Sequence, residues 1–230
     1  MIQLEENLGT ISLIDKFLLK SITFFDSLDD DILEKLIAVA KLKKFVMGEV
    51  LFYERDKNSE IFFLHKGSIK FYKVDRFENE IFLYKLNSNS IIYDISKFSD
   101  FGDISCFSNA EFLEDSEVLA FDSLKFIELM NENSAFMNKI LQESFKMISK
   151  LQCLISRDVV FDGTAKVAHM LVNDLKNFNS LKKHEIAYML HIQPETLSRI
   201  LKKLTRNGII EIEKNSVKIL NINELKNIYE

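Results

Sequence analysis

The segment from Leu181 to Leu204 is LKKHEIAYMLHIQPETLSRILKKL. Its apolar spacing predicts two short helices, one over about Lys182 to Leu190 and one from Pro194 onward. The residues between them, His191-Ile192-Gln193, predict a tight turn. Pro194 suits the first position of a helix, because the N–H at that position has no intrahelical partner.

The second predicted helix has two faces of opposite character. Its apolar face consists of Leu197, Ile200, Leu201 and Leu204. A helix-turn-helix with an apolar back and a basic, hydrogen-bonding front suits the DNA major groove. The alternative, an amphipathic surface helix with a solvated charged face, is disfavoured by the sequence that follows.

The chemistry of the polar face predicts which residues read bases. Arg199 can donate two parallel hydrogen bonds to guanine, Glu195 can accept from a cytosine amino group, and Ser198 can reach a base or a phosphate. Contacts to DNA phosphates position a protein without reading sequence. We predict such contacts for Lys182, Lys183, Thr196, Lys202, Lys203, Arg206 and Lys214.

A β-hairpin is predicted directly after this helix. Asn207-Gly208 is a helix-ending pair, and residues 209–220 alternate as two strands joined at Lys214-Asn215. This hairpin is the wing of a winged helix-turn-helix.

Residues 163–230 hold 11 Lys and Arg against 7 Asp and Glu, whereas residues 1–162 hold 19 Lys and Arg against 28 Asp and Glu. The asymmetry predicts a nucleic-acid-binding module joined to a part that does not touch nucleic acid.

Length and composition set the class of protein. A chain of 230 residues with 47% apolar content predicts two domains with real cores. It has no apolar run long enough to span a bilayer and no basic leader at its start. The two cysteines form no disulfide framework. We therefore predict a cytoplasmic protein without a membrane partner.

The N-terminal half has the pattern of an antiparallel β-roll. Residues 44–53, 61–74, 80–86, 90–95 and 116–121 alternate as short strands, with a turn signal at Lys66-Gly67. Many short strands with regular turns predict a jelly roll or barrel. The fold class is therefore α+β, with a helical extension over 1–20, a β-roll domain over 21–132, a long helix over 133–159 and a winged helix-turn-helix over 160–230.

The long helix carries an apolar seam close to a heptad repeat. Such a helix can pack on the β-roll or pair with a second copy. We favour pairing, because two recognition helices one DNA turn apart need a two-fold axis. The predicted dimer interface consists of Met137, Ile140, Leu141, Ser144, Ile148, Leu151 and Ile155.

The order of these parts resembles the Crp/Fnr family of bacterial transcription regulators over about residues 22 to 225. The resemblance is carried by a β-roll with Gly48 and Gly67, by 185–187, by 194–199 and by 204–210. It implies that the chain is a homodimer that binds double-stranded DNA and works with RNA polymerase. It also implies that the residues matching Glu195, Ser198 and Arg199 read the operator half-site.

The Glu-x-x-Ser-Arg spacing over 195–199 is similar to the Fnr branch, since the position of Pro194 lacks the arginine of the cyclic AMP branch. This likeness implies a TTGA-like inverted repeat. The segment 194–199 also resembles branches that respond to nitrosative or oxidative stress.

The sensor half departs from the family pattern. In the segment that aligns with the family's phosphate cradle, Asn89 and Tyr93 stand in place of glycines and Asp94 in place of glutamate. A cyclic nucleotide needs a guanidinium to clamp its phosphate, yet there is no arginine between Arg76 and Arg157. We therefore predict a signal other than cyclic AMP. An iron–sulfur cluster needs about four cysteines, and the chain has two.

Haem stays open as a cofactor. The chain has 20 Phe and 6 Tyr, and His65 or Cys106 is a candidate axial ligand in the sensor pocket. The alternatives are an ordinary strand histidine beside a turn and a partly buried thiol. No His or Cys grouping has zinc spacing, so no metal site is predicted.

Common enzyme motifs are absent from the sequence. The sequence contains no P-loop, Gly-x-Gly-x-x-Gly, Gly-x-Ser-x-Gly or His-Glu-x-x-His. We predict a regulator and not an enzyme. The remaining alternative is a sensor of a small molecule, haem or redox state whose C-terminal domain mainly contacts a protein partner.

Overall fold

The computed structural model describes residues 14–92, 95–98, 104–213 and 216–229. They form two compact units, one up to Met147 and one from Ile148 onward. The first unit holds α1 Lys16–Lys20, α2 Asp30–Val39, β1 Ala40–Phe45, β2 Val50–Phe52, β3 Lys57–Asn58, β4 Glu60–Lys66, β5 Ser68–Val74, β6 Glu80–Asn87, β7 Ser90–Ile91, β8 Ile95–Phe98, β9 Ile104–Cys106, β10 Asn109–Phe112, β11 Ser116–Asp122 and α3 Ser123–Glu132.

The long helix α4, Ser134–Val160, begins in the first unit and ends in the second. The second unit continues with α5 Gly163–Asn173, α6 Leu175–Ser180, α7 Lys183–Met189, α8 Pro194–Arg206, β12 Ile210–Glu213, β13 Ser216–Ile219 and α9 Ile222–Lys226. The predicted α+β architecture is therefore present, with a β-roll, a long helix and a winged helix-turn-helix in that order.

The strands of the first unit form antiparallel sheets. Two four-stranded sheets have the orders β1-β11-β4-β7 and β2-β10-β5-β6, and a smaller one has the order β3-β9-β8. Strands β4 and β5 follow one another directly at the predicted turn, but they belong to different sheets. The chain therefore changes sheet at this turn, as expected of a roll and not of a simple hairpin.

The core of the first unit joins one sheet to helices. Phe63 of β4 and Leu119 and Phe121 of β11 pack in the same cluster as Phe126 of α3 and Phe136 of α4. The ring centroids of Phe126 and Phe136 lie 5.1 Å apart in an edge-to-face arrangement, a favourable geometry for aromatic pairs. These phenylalanines thus serve as core packing in this part of the chain.

The predicted helical extension at the start of the chain is described only in part. Residues 1–13 of the predicted extension over 1–20 lie outside the described residues. In the described part, the helix is limited to Lys16–Lys20, and the Asp15 carboxylate accepts from the Leu18 N–H at 2.7 Å. A sequence of turns follows before α2, and it buries Phe24 and Phe25.

We expect Gly67→Ala to destabilise the first unit more than Gly48→Ala. Both glycines have a left-handed φ, +91° and +87°, so an added side chain strains the backbone at either position. Only at Gly67 does the new Cβ collide with a neighbour, because it would lie 2.0 Å from Ser116 Oγ and 2.9 Å from Ser116 Cα. The collision should add about 1–3 kcal/mol to the loss in the free energy of unfolding. Urea unfolding of both variants measures this difference. Equal losses for the two variants would contradict this packing.

The second unit has its own core. Residues from α5, α6, α7, α8 and the wing share one buried cluster that includes Val167, Phe178, Ile186, Leu201 and Val217. The wing strands pair in antiparallel register, with Ile210 opposite Ile219. Among the described residues, no helix is both long and apolar enough to cross a membrane.

Candidate nucleic-acid interface

The recognition helix α8 has the two faces that the sequence predicts. Its apolar residues Leu197, Ile200, Leu201 and Leu204 are all buried in the core of the second unit. Glu195 and Arg199 are exposed on the opposite side. The helix begins at Pro194 and is capped at Asn207, both as predicted. Burial of one face fixes the rotation of the helix and so fixes which side chains face outward.

The outward face borders an open concavity of about 850 Å³. Its lining residues are Lys183, His184, Pro194, Glu195, Ser198, Arg199, Lys202, Lys203 and Arg206. Five of them are basic and one is acidic, so the surface has a strongly positive balance. Within the part of the chain that the structure describes, none of the five basic side chains forms an ion pair. Such a surface can bind a polyanion.

The first helix of the motif is held by a capping interaction. The Glu185 carboxylate accepts from the Lys182 N–H at 2.6 Å, and the Glu185 N–H donates to the Lys182 carbonyl at 3.0 Å. This reciprocal arrangement satisfies backbone groups at the start of α7. It fixes the point at which Lys183 and His184 enter the concavity.

The turn between the two helices is closed by His191 in a left-handed conformation, with φ +53°. The Ile192 N–H donates to the Ala187 carbonyl at 3.0 Å. His191 Nδ1 lies 3.7 Å from an Asp158 carboxylate oxygen, and Lys166 Nζ lies 3.7 Å from the other oxygen. The last turns of α4 therefore contact both α5 and the helix-turn-helix turn within the second unit.

The predicted DNA-contacting residues divide into those in the concavity and those elsewhere. The three base-reading candidates and four of the phosphate candidates line it: Glu195, Ser198, Arg199, Lys183, Lys202, Lys203 and Arg206. Lys182 borders a second concavity beside the wing. Thr196 is half-buried, and its methyl lies close to Gly163 at the start of α5. Lys214 lies outside the described residues.

The long helix α4 exposes a line of apolar side chains that only partly matches the predicted interface. Leu141, Ile148 and Ile155 are exposed. Exposure is expected of residues in a dimer interface when only one copy of the chain is present. Ile140 is instead buried in the core of the first unit, because it lies on the side of the helix that carries Phe136 and Met147. Met137, Ser144 and Leu151 are half-buried.

Two further apolar residues on α4 were missed by the sequence prediction. Phe145 and Val159 are 59% and 79% exposed, and they continue the line through Leu141, Ile148 and Ile155. The steps along this line alternate between four and three residues when Gln152 is included. A heptad pattern whose seam continues from Leu141 to Phe145 would have predicted this line of exposed apolar residues.

Two of the sensor candidates belong to the described residues, and they lie on different strands. His65 lies on β4 and Cys106 on β9, in different sheets. The His65 side chain is largely buried, its Nε2 lies 4.0 Å from Glu117 Oε2, and its Nδ1 has no hydrogen-bond partner among the described residues. Burial, and then the charge of Lys66, lowers the pKa of His65. Tyr93 and Asp94 lie outside the described residues.

His65 therefore lies beside the ion pair of Lys66 and Glu117, whose charged atoms lie 2.9 Å apart. Cys106 is buried and forms no disulfide. Over the described ranges, no group of three or more His, Cys, Asp or Glu side chains is arranged to hold a metal ion. Haem therefore stays open as a cofactor.

Two family models match the chain. Residues 42–133 match the cyclic nucleotide-binding domain, and residues 165–228 match the Crp-like helix-turn-helix domain. Together they span 156 of the 230 residues. The first match covers most of the β-roll, and the second covers α8 and the wing.

Curated relatives match the chain over most of its length. The chain is 21% identical over 194 residues to the cAMP-activated global transcriptional regulator Vfr of Pseudomonas aeruginosa, covering 79% of this chain and 90% of Vfr. It is 20% identical over 198 residues to the cAMP-activated global transcriptional regulator CRP of Escherichia coli O6:H1, covering 82% of this chain and 93% of CRP.

Solved structures share the fold at low identity. FixK2 from Bradyrhizobium japonicum superposes with a TM-score of 0.67 at 15% identity, covering 84% of this chain and 98% of FixK2. A CooA mutant from Carboxydothermus hydrogenoformans superposes with a TM-score of 0.69 at 19% identity, covering 94% of this chain and 97% of CooA. With both domain families in the family's order, the chain belongs to the Crp/Fnr family of transcription regulators and carries its DNA-binding helix-turn-helix.

Proposed function

We propose that this chain acts as a homodimeric regulator that binds a palindromic promoter element with TTGA-like half-sites and responds to a signal other than cyclic AMP. The observation that carries the proposal is the concavity along α8, where five basic side chains without ion pairs in the described chain surround Glu195 and Ser198. DNA supplies both the phosphates and the base edges that such a surface can contact.

The residues of the concavity divide by chemistry into two roles. Arg199, Glu195 and Ser198 lie on the first two turns of α8, the part of a recognition helix that enters the major groove. Lys202, Lys203 and Arg206 lie further along the helix and suit phosphate contacts. Release of counterions from those phosphates makes affinity fall steeply with salt.

The exposed apolar line on α4 supports a homodimer. Phe145, Ile148, Ile155 and Val159 are large apolar side chains that a second copy would remove from water. Pairing about a two-fold axis would present two recognition helices to successive major grooves, which is why the DNA element is proposed to be palindromic. RNA polymerase is the partner that a bound promoter regulator would influence.

The proposed signal differs from that of Vfr and CRP, which their names describe as cAMP-activated. This chain has no arginine between Arg76 and Arg157, and 99–117 contains no lysine either. The roll also contains close aromatic packing: Phe71 and Tyr84 stack with ring centroids 4.5 Å apart, and Phe52 stands 6.4 Å from both Phe62 and Phe71. The sequence thus offers neither an arginine over 77–156 nor a lysine over 99–117 that could clamp a cyclic phosphate.

Selection of bound duplexes from a random DNA pool tests the proposal. We expect an enriched inverted repeat with TTGA-like half-sites, and the same enrichment with and without added cyclic AMP. Enrichment only with cyclic AMP would contradict the proposed signal. Retention of no duplex at low salt would contradict DNA binding and favour a C-terminal domain that contacts a protein.

A further inference from the structure

The Asn179 side chain makes two hydrogen bonds to one backbone residue of the wing. Its Nδ2 donates to the Val217 carbonyl at 3.0 Å, and its Oδ1 accepts from the Val217 N–H at 2.8 Å. The two residues are 38 positions apart in sequence. Asn179 lies on α6, where its neighbour Phe178 is buried in the core of the second unit. The amide is therefore attached to a fixed element.

These two bonds occupy the outer edge of the hairpin. The N–H and C=O of one strand residue point to the same side, so Val217 directs both groups away from its partner Ile212 on β12. A neighbouring third strand would satisfy the same two groups. Because an isolated two-stranded hairpin is marginally stable, the Asn179 amide supplies the pairing that a third strand would supply.

The amide also lies beside the DNA-facing elements. Asn179 and Val217 border a second concavity of about 480 Å³, together with Lys182, Lys183 and Ile212. Lys183 borders the main concavity as well. The attachment of the wing thus sets the gap between the hairpin and the start of α7.

We propose that Asn179 is a positioning residue that holds the wing where its lysines reach DNA phosphates. This inference rests on the proposed function, since it assigns the wing a part in binding DNA. Lys218 on β13 is exposed, and Lys214 follows β12 in the sequence. If the wing moves freely, these charges contribute less to binding even though neither lysine is altered.

The test compares Asn179→Leu with Asn177→Leu. Asn177 lies on the same helix, but among the described residues its amide donates to Asp174 alone, at 3.1 Å. In Asn179→Leu we expect the Val217 amide to exchange with solvent about fivefold faster, as for the loss of one net hydrogen bond of ordinary strength. We also expect the slope of log affinity against log salt, on the selected duplex, to shrink by about 1 to 2, since each phosphate contributes about 0.9.

Asn179→Gln keeps both the donor and the acceptor of a side-chain amide, so this variant should retain most of the protection of the Val217 amide even if Asn179→Leu fails to fold. Exchange and salt slope that match those of Asn177→Leu would overturn the proposal. Fast exchange with an unchanged slope would also overturn it, because the wing would then contribute nothing to binding. If the unaltered protein binds no duplex, the proposed function fails, whereas amide exchange still tests the attachment of the wing.

Discussion

Ile148→Glu is expected to turn the dimer into a monomer. Ile148 is half-exposed on α4 and lies on the apolar line through Leu141, Phe145, Ile155 and Val159. Burying such a side chain contributes about 1.5–3 kcal/mol, and a two-fold axis places each change at the interface twice. The loss is then about 3–6 kcal/mol, or roughly 10²–10⁴-fold in the dimer dissociation constant. Sedimentation velocity over a concentration series measures it.

Gln142→Glu is the matched control for this substitution. It adds the same charge to an exposed position of α4 that lies off the apolar line, so we expect it to leave the dimer intact. The monomer should bind a palindrome no more tightly than it binds one half-site. If Ile148→Glu sediments as the unaltered protein does, the interface lies on another surface and the proposed use of α4 is wrong.

Local periodic patterns predicted the C-terminal elements well. The spacing of Leu197, Ile200, Leu201 and Leu204 gave the buried face of α8, because a short amphipathic helix next to a core has only one rotation that hides them. The alternation of apolar and polar residues predicted the wing strands. The pair Asn207-Gly208 predicted the end of α8. These features depend on residues that are neighbours in sequence.

Features that depend on distant residues were harder to predict. Ile140 and Phe145 are both apolar and only five residues apart on α4, yet one is buried in the first unit and the other is exposed. Which of them faces outward is decided by the elements packed against the helix, and the helical period alone does not determine it. The bonds between Asn179 and Val217 join a helix to a strand and leave no periodic signal in the sequence.

Arg199→Ala is expected to weaken binding to the selected duplex by roughly 1–3 kcal/mol and to relax the preference at one base pair. Arg199 is exposed on α8 and lines the concavity beside Glu195 and Ser198. A guanidinium can donate two parallel hydrogen bonds to the edge of one guanine, and alanine removes both of them. Affinity for random DNA should fall much less, since phosphate contacts supply most of it.

The variant Arg199→Lys distinguishes base recognition by the Arg199 side chain from the effect of its positive charge. Lysine keeps the positive charge but lacks the planar fork of the guanidinium, so the salt slope should stay near its original value while the base preference weakens. Arg206→Ala should behave in the opposite way, lowering affinity for selected and random duplexes alike and reducing the slope by about 0.9. These affinities follow from titrations of both duplexes at several salt concentrations. Equal losses on the two duplexes for Arg199→Ala would mean that this side chain contacts phosphate, and base recognition would then have to come from Glu195 and Ser198.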